Sequence, residues 1–130
     1  MNAPRAPRRI LLVDDEPDTV KTYSDILGSE GYEVLPAHTG ERALEILDRV
    51  RPDLILLDIM LPGRDGMEVA RELAEREDTR DIPIVMITAL DAFTTGQWLG
   101  TSPPVRRFLY KPCRPRTLLE GIEDALQCLH

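Results

Sequence analysis

The chain has 130 residues, of which 42% are hydrophobic and 30% are charged, and its net charge is −7. This length and composition predict one globular domain with a single core and exclude a disordered chain. The negative charge disfavours nucleic acid or an anionic membrane as a direct partner. No apolar run approaches the ~20 residues of a membrane span, and the N-terminus lacks the apolar core of a secretory signal, so we expect a cytoplasmic protein.

The ends of the chain and its cysteines carry little functional signal. Residues 1–8 include Arg5 and Arg8, and they are predicted to form a disordered basic tail, with the domain itself over residues 9–130. Cys113 and Cys128 are only two and lie well apart in sequence. A disulfide framework or a thiolate metal site is therefore not expected.

Five short runs are typical of β-strands because they are apolar or are bounded by turn residues. In chain order they are Arg9–Val13, Tyr32–Leu35, Leu54–Leu57, Ile82–Ile87 and Val105–Tyr110. The unbroken apolar run Leu54–Leu57 indicates a strand that is buried on both faces, as in a parallel sheet. The last run is less apolar than the others, which favours an edge strand.

Helical periodicity fills the segments between and after these strands. The predicted helices are Pro17 to about Gly28, Glu41–Arg51, a helix from Asp65-Gly66 through Ala74, Leu90–Gly100 and Arg114–Leu129. The sequence thus alternates strand and helix five times. This order predicts an α/β domain with a five-stranded parallel sheet and helices on both of its faces.

Residues with chemically useful side chains stand at the ends of four predicted strands. Asp14 and Asp15 follow the first strand, Asp58 the third, Thr88 the fourth and Lys111 the fifth. In open α/β sheets, ligands bind at the carboxyl ends of the strands, so these side chains are expected to converge on one rim of the sheet. Taken singly, each residue could equally be a loop cap, a helix N-terminal acid, a turn residue or a surface lysine.

Together these positions resemble the receiver (CheY-like) domain of two-component response regulators. The resemblance rests on Asp14-Asp15, on Asp58 followed by Met60-Leu61-Pro62-Gly63-Arg64-Asp65-Gly66, on Thr88-Ala89 and on Lys111-Pro112, and it covers Arg9 to Leu129. It implies a flavodoxin-like (βα)5 fold with strand order 2-1-3-4-5. It also implies transfer of a phosphoryl group to Asp58 from a sensor histidine kinase or phosphotransfer protein, which switches a surface that a downstream protein binds.

The resemblance further implies a metal site. Asp15, Asp58 and the backbone carbonyl of Met60 would bind Mg²⁺ or Mn²⁺ directly, and Asp14 would bind through water. The chemistry of Asp58 agrees with this role, since an ionised aspartate carboxylate can act as a nucleophile and become an aspartyl phosphate. Crowded acids repel one another, and a hard divalent cation with oxygen ligands relieves that repulsion. Lys111 would place a positive charge beside the phosphoryl group.

The resemblance also implies that two side chains change position when Asp58 is phosphorylated. The Thr88 hydroxyl would move to donate a hydrogen bond to the phosphoryl group, and Phe108 stands where the family has an aromatic that then turns inward. Phe108 could instead be an ordinary half-buried aromatic of the strand. The family also has a cis Lys-Pro bond, which makes Lys111-Pro112 a candidate for one, whereas an X-Pro bond alone favours trans.

The chain departs from the family pattern in two places. Residues 91–104 lack the charged helical character usual for the fourth helix, and Arg106-Arg107 stand where acidic residues are common. The resemblance implies a possible homodimer through the face of the fourth helix, fifth strand and fifth helix, but these departures disfavour a dimer that relies on acid–arginine pairs there. Cys113 replaces a bulky aromatic, and we expect it to be a small buried hydrophobe.

Parts of this sequence pattern are also compatible with functions other than phosphoacceptor. The chain could be the N-terminal receiver of a larger regulator with a DNA-binding or other output domain, or an interaction module that works without phosphorylation. A flavodoxin-type FMN site is disfavoured because acids after the first strand would repel its phosphate. A haloacid-dehalogenase-like phosphatase would need a second acid at Met60. We expect a signalling module that assists its own phosphorylation and dephosphorylation, and not an enzyme with other substrates.

Overall fold

A computed structural model describes residues 7–61, 65–89 and 105–127. Strands and helices alternate in these ranges as β1 (Arg9–Val13), α1 (Pro17–Ser29), β2 (Glu33–Ala37), α2 (Gly40–Leu47), β3 (Leu54–Asp58), α3 (Gly66–Glu75), β4 (Ile84–Thr88), β5 (Val105–Tyr110) and α4 (Pro115–Gln127). The strands form one parallel sheet in the order β2-β1-β3-β4-β5. The predicted α/β class and the flavodoxin-like strand order are confirmed.

The core lies on both faces of this sheet. One face packs against α2 and α3 and presents the alternate residues Leu11, Val13, Ile55, Leu57, Ile84 and Met86. The other packs against α1 and α4 and presents Ile10, Leu12, Leu54, Leu56, Val85 and Ile87. Because both faces are covered, the central strands carry unbroken apolar runs. The two edge strands, β2 and β5, are more exposed, as predicted for the fifth.

The helices nearest the carboxyl edge of the sheet begin where the sequence indicates. Pro17 occupies the first turn of α1, where its missing N–H loses no helical hydrogen bond. The Asp65 side chain caps α3 by accepting a hydrogen bond from the Met67 amide at 2.7 Å, and Thr39 caps α2 by accepting from the Arg42 amide at 3.0 Å. Such caps satisfy amides that the first helical turn leaves unpaired.

Several predicted boundaries are wrong, among them the start of β4, which lies at Ile84 and not at Ile82. Pro36 lies within β2 and not in the following loop; the strand is at the edge of the sheet, where a missing N–H is tolerated. Helix α2 begins at Gly40 and ends at Leu47 instead of Arg51, since the residue before Pro52 is disfavoured in a helix. Helix α1 continues through Gly28 to Ser29, and the chain turns at Gly31, whose φ is 91°.

Several predictions fall outside the described residues. These are the helix over Leu90–Gly100, most of the basic tail at residues 1–8, and the fourth-helix part of the possible dimer face. On the described part of that face, Arg107 lies 2.5 Å from Asp124 of α4. None of the helices in the described ranges is long and apolar enough to cross a membrane.

Candidate functional site

The sheet brings the predicted site residues to one edge. Asp14 directly follows β1, Asp58 ends β3, Thr88 ends β4 and Lys111 directly follows β5. In the pairing register, Val13 of β1 lies opposite Leu57, one residue before Asp58, and Thr88 lies opposite Tyr110, one residue before Lys111. The convergence expected from the strand ends is therefore present.

Asp14 is fully buried and both of its carboxylate oxygens accept hydrogen bonds. Oδ1 accepts from the Glu16 amide at 2.9 Å, and Oδ2 accepts from Lys111 Nζ at 2.7 Å. The Asp14 backbone amide donates to the carbonyl of Ala37 at 3.0 Å. The side chain and the backbone of Asp14 are thus both held at the end of β1.

Asp58 is 3% exposed and is held in a similar way. Its Oδ1 accepts from the Met60 amide at 3.0 Å, and its Oδ2 accepts from Lys111 Nζ at 2.9 Å. Burial raises the pKa of Asp58; the hydrogen bonds from Lys111 and Met60 lower it, and the charge of Asp14 raises it further, with a net rise. A neighbouring cation would favour the ionised form of this carboxylate.

Lys111 bridges the two buried acids. Its side chain is 14% exposed and its ammonium lies within hydrogen-bonding distance of both Asp14 and Asp58, with Glu16 Oε1 farther away at 3.8 Å. Burial alone would lower the pKa of Lys111, but the hydrogen bonds and charges of the two aspartates outweigh burial and hold it well above its usual value. The lysine is therefore a permanent positive charge at the carboxyl edge of the sheet.

The acid cluster fits a hard divalent cation. Asp14, Asp15 and Asp58 each offer a carboxylate oxygen, and these oxygens lie within 4.8 Å of one another. Asp15 is exposed and the other two are buried, so the cluster opens to solvent on one side. A carboxylate oxygen that accepts one hydrogen bond keeps a second lone pair, and Mg²⁺ and Mn²⁺ prefer such oxygen ligands. Lys111 offsets only one of the three negative charges.

The remaining predicted residues lie at or near the ends of β3, β4 and β5. Thr88 is fully buried at the end of β4, and Phe108 is half-buried against the core cluster shared with α3. The Met60 side chain is exposed. The Lys111-Pro112 peptide is cis, as the resemblance suggested. Cys113 is half-buried and packs against the core beside α1.

Two features of the site were missed by the sequence reasoning. Lys111 was expected to face a phosphoryl group, but here it binds Asp14 as well as Asp58. The sequence does contain a signal for this contact: three acids and one lysine stand at the strand ends, so the lysine can pair with more than one acid. Gly66 is predicted only as the start of a helix, yet a Cβ built there would lie 2.3 Å from the Asp58 carbonyl oxygen. That close approach has no signal in the sequence beyond the glycine itself.

Comparisons with known proteins agree with this geometry. Residues 10–123 match the sequence profile of the family described as the response regulator receiver domain. The chain is 34% identical over 118 residues to Protein PilH of Pseudomonas aeruginosa, which covers 91% of this chain and 97% of PilH.

Two solved structures of receiver domains have folds similar to that of this chain. One is the CheY-like response regulator receiver domain protein of Methanospirillum hungatei, with a TM-score of 0.84 and 29% identity over 93% of this chain and 94% of that one. Another is the receiver domain of sensor histidine kinase PA1611 from Pseudomonas aeruginosa, with a TM-score of 0.84 and 30% identity over 94% of this chain and 99% of that one. The PA1611 crystal structure has a magnesium ion coordinated in its active site cleft. Because the sequence match spans most of the chain and the strand order agrees with it, this protein belongs to the family of response regulator receiver domains of two-component signalling.

Proposed function

We propose that this chain accepts a phosphoryl group on Asp58 from a phosphohistidine of a sensor histidine kinase or phosphotransfer protein, in the cytoplasm. The observation that supports this most is the buried Asp58 carboxylate, hydrogen-bonded to the Lys111 ammonium at 2.9 Å beside two further acids. Phosphoryl transfer needs positioning and charge neutralisation more than covalent help from the protein. Both are available where Asp58 lies.

The proposed phosphoryl transfer is a single displacement at phosphorus. A carboxylate oxygen of Asp58 forms an O–P bond while the P–N bond of the donor phosphohistidine breaks, and the imidazole leaves with the electron pair. Hydrolysis returns the carboxylate by attack of water on phosphorus. Asp58 is regenerated each time, so the domain assists its own phosphorylation and dephosphorylation and is not an enzyme with other substrates.

The acids would hold Mg²⁺ or Mn²⁺ during this step. Asp15, Asp58 and the carbonyl of Met60 would bind the ion directly, with Asp14 binding through water. A bound divalent cation supplies positive charge against the phosphoryl oxygens. The carboxylate oxygens of Asp14, Asp15 and Asp58 lie close enough together for such a site, and a magnesium ion occupies the active site cleft of the PA1611 receiver.

Lys111 and Thr88 would act on the transferred group and on the output. Once Asp58 carries a phosphoryl group, the ammonium of Lys111 pairs with its oxygens, and the Thr88 hydroxyl donates a hydrogen bond to it. Phe108 then turns into the space that Thr88 leaves. The surface around β5 changes as a result, and a downstream protein binds one of the two states.

The function is tested by incubating the protein with acetyl phosphate and MgCl₂ and measuring its intact mass. We expect one added phosphoryl group that is removed by hydroxylamine, as an acyl phosphate is, and no addition in EDTA. A mass that stays unchanged with Mg²⁺, or a label that resists hydroxylamine, would refute the proposal. Phosphotransfer from an isolated phosphorylated kinase then tests the physiological donor.

Mg²⁺ is expected to raise the melting temperature of the wild-type protein because it binds the folded acid cluster only. At 100 times its Kd the ion contributes about 2.7 kcal/mol, which corresponds to roughly 10 °C for a domain of this size. Asp15→Asn should remove most of this gain while leaving the metal-free protein at least as stable as wild type, since one repelling charge is gone. Thermal melts with and without Mg²⁺ measure both values.

The matched control for this measurement is Asp25→Asn, which removes an exposed aspartate of α1 that pairs with Lys21. It should keep the full Mg²⁺-dependent rise. The metal assignment is wrong if Asp15→Asn and Asp25→Asn respond to Mg²⁺ alike.

Lys111→Met should slow phosphorylation by acetyl phosphate by about 10²–10³-fold, the usual effect of removing one group that stabilises transition-state charge. The same substitution removes a cation from the metal site, so Mg²⁺ affinity should rise roughly tenfold. Mass-detected time courses measure the rate, and Mg²⁺ titrations measure the affinity. Lys21→Met, which removes an exposed lysine of α1, should change neither value. A drop in both rate and Mg²⁺ affinity would contradict the role given to Lys111.

A further inference from the structure

His38 lies in the turn between β2 and α2, next to the end of β1 that carries the acids. Its Nδ1 is 3.3 Å from the backbone carbonyl oxygen of Asp14, although the two residues are 24 positions apart in sequence. Because a carbonyl oxygen only accepts hydrogen bonds, Nδ1 carries the hydrogen and donates it. The His38 side chain thus binds the backbone of a buried acid of the site.

This contact takes the place of a hydrogen bond of the sheet. The Asp14 amide donates to the Ala37 carbonyl at 3.0 Å, and a parallel ladder continued from there would bring the Thr39 amide to the Asp14 carbonyl. Within the described residues that bond is not formed, since the chain turns at Thr39 to begin α2. The His38 ring supplies the donor instead, so the carbonyl of this fully buried residue is not left without a partner.

The direction of the Asp14 carbonyl also sets the direction of the backbone at Asp15. The carbonyl of one residue and the amide of the next lie in one planar peptide. On the other side of Asp15, the Glu16 amide donates to Oδ1 of Asp14 at 2.9 Å. The backbone of Asp15 is therefore held on both sides, and its exposed carboxylate offers an oxygen that lies within 4.8 Å of those of Asp14 and Asp58.

The backbone that carries His38 is itself fixed. Ala37 is fully buried and pairs with Val13 of β1. Thr39 caps α2, where its hydroxyl oxygen accepts a hydrogen bond from the Arg42 amide at 3.0 Å. Because the residues before and after it are both ordered by other contacts, His38 loses only side-chain freedom when its ring binds the Asp14 carbonyl.

We propose that His38 is a positioning residue that holds the Asp14-Asp15 peptide and thereby directs the Asp15 carboxylate toward the divalent cation. The inference rests on the proposed function, because the direction of Asp15 matters only if a cation binds beside Asp58. Among the described residues, the His38 ring is not one of the groups whose ligand atoms come together. It therefore acts through the Asp14 carbonyl and not as a ligand.

The test is calorimetric titration of His38→Ala and His38→Asn with MgCl₂. The alanine variant should bind Mg²⁺ about two- to fivefold more weakly than wild type, the lower part of the range for a neutral hydrogen bond, since 3.3 Å is long for one. The asparagine variant should bind nearly as wild type, because its side-chain nitrogen is bonded to Cγ as Nδ1 is in histidine. Neither replacement is charged, so the difference between them reports the donor alone.

A second readout needs no metal. In ¹H–¹⁵N spectra of the metal-free protein, His38→Ala should shift the Asp15 amide signal, and His38→Asn should return it toward the wild-type position. Wild-type Mg²⁺ affinity in His38→Ala, equal weakening in both variants, or an Asp15 signal that neither variant moves would each overturn the inference. If the wild-type protein binds no Mg²⁺, the proposed function fails, and the spectra still decide whether His38 holds the Asp14-Asp15 peptide.

Discussion

Asp58→Asn is expected to abolish labelling by acetyl phosphate in the presence of Mg²⁺. An amide lacks the nucleophilic oxygen that forms the O–P bond, and it also offers a weaker ligand to the cation. The substitution keeps the size of the side chain, and Lys111 retains its hydrogen bond to Asp14 at 2.7 Å. The variant should therefore fold, which circular dichroism verifies. Intact-mass measurement after incubation gives the result.

The control for this variant is again Asp25→Asn, whose exposed position on α1 leaves the site untouched and should preserve full labelling. Asp14 and Asp15 remain in the Asp58→Asn protein, so any residual label would reveal whether a neighbouring acid can accept the phosphoryl group. A folded Asp58→Asn protein that is labelled to the wild-type extent would reject Asp58 as the acceptor.

Gly66→Ala is expected to destabilise the protein by about 3 kcal/mol, in the upper range for an overpacked interior. A Cβ on Gly66 would lie 2.3 Å from the carbonyl oxygen of Asp58 and 2.7 Å from the Cα of Ile59. Both neighbours are backbone atoms, so no side-chain rotation relieves the overlap. The Gly66 amide also donates to the Ile59 carbonyl at 2.7 Å, which ties the start of α3 to the end of β3.

Because the overlap falls on the Asp58 backbone, Gly66→Ala should also slow phosphorylation in the fraction that folds. Gly28→Ala is the matched control, since a Cβ on Gly28 meets no atom within 4 Å. Gly28 lies inside α1, and alanine there should stabilise the protein by about 0.5–1 kcal/mol. Urea unfolding curves measure both changes. The close-approach argument is wrong if Gly66→Ala is as stable as wild type.

The elements of the fold were largely predictable from local sequence. The apolar run Leu54–Leu57 indicated a doubly buried strand, and the strand β3 has all of its residues buried. Pro17 and Asp65 marked the starts of two helices correctly. These signals work because helix periodicity, strand periodicity and capping involve residues only a few positions apart.

The predicted end of β2 was wrong because it depends on the position of that strand in the sheet. A proline looks like a loop residue in isolation, but Pro36 pairs with Leu12 on the outermost strand, where its outward side needs no hydrogen-bond partner. That β2 lies at the edge is a property of the sheet order, and no window of sequence around Pro36 contains it.

By itself, the sequence determined which chemical groups stand at the ends of the strands: two acids after β1, one at the end of β3, a hydroxyl on β4 and a lysine after β5. Only the tertiary structure decided that Lys111 meets Asp14, 97 positions away, and that Cys113 packs against the core cluster that contains Tyr23. The physical reason is that side-chain identity is local, whereas the distance between two side chains is set by strand order, register and helix packing. Strand order, register and helix packing are those for which the free energy of the whole chain is lowest, so they depend on all of its residues together.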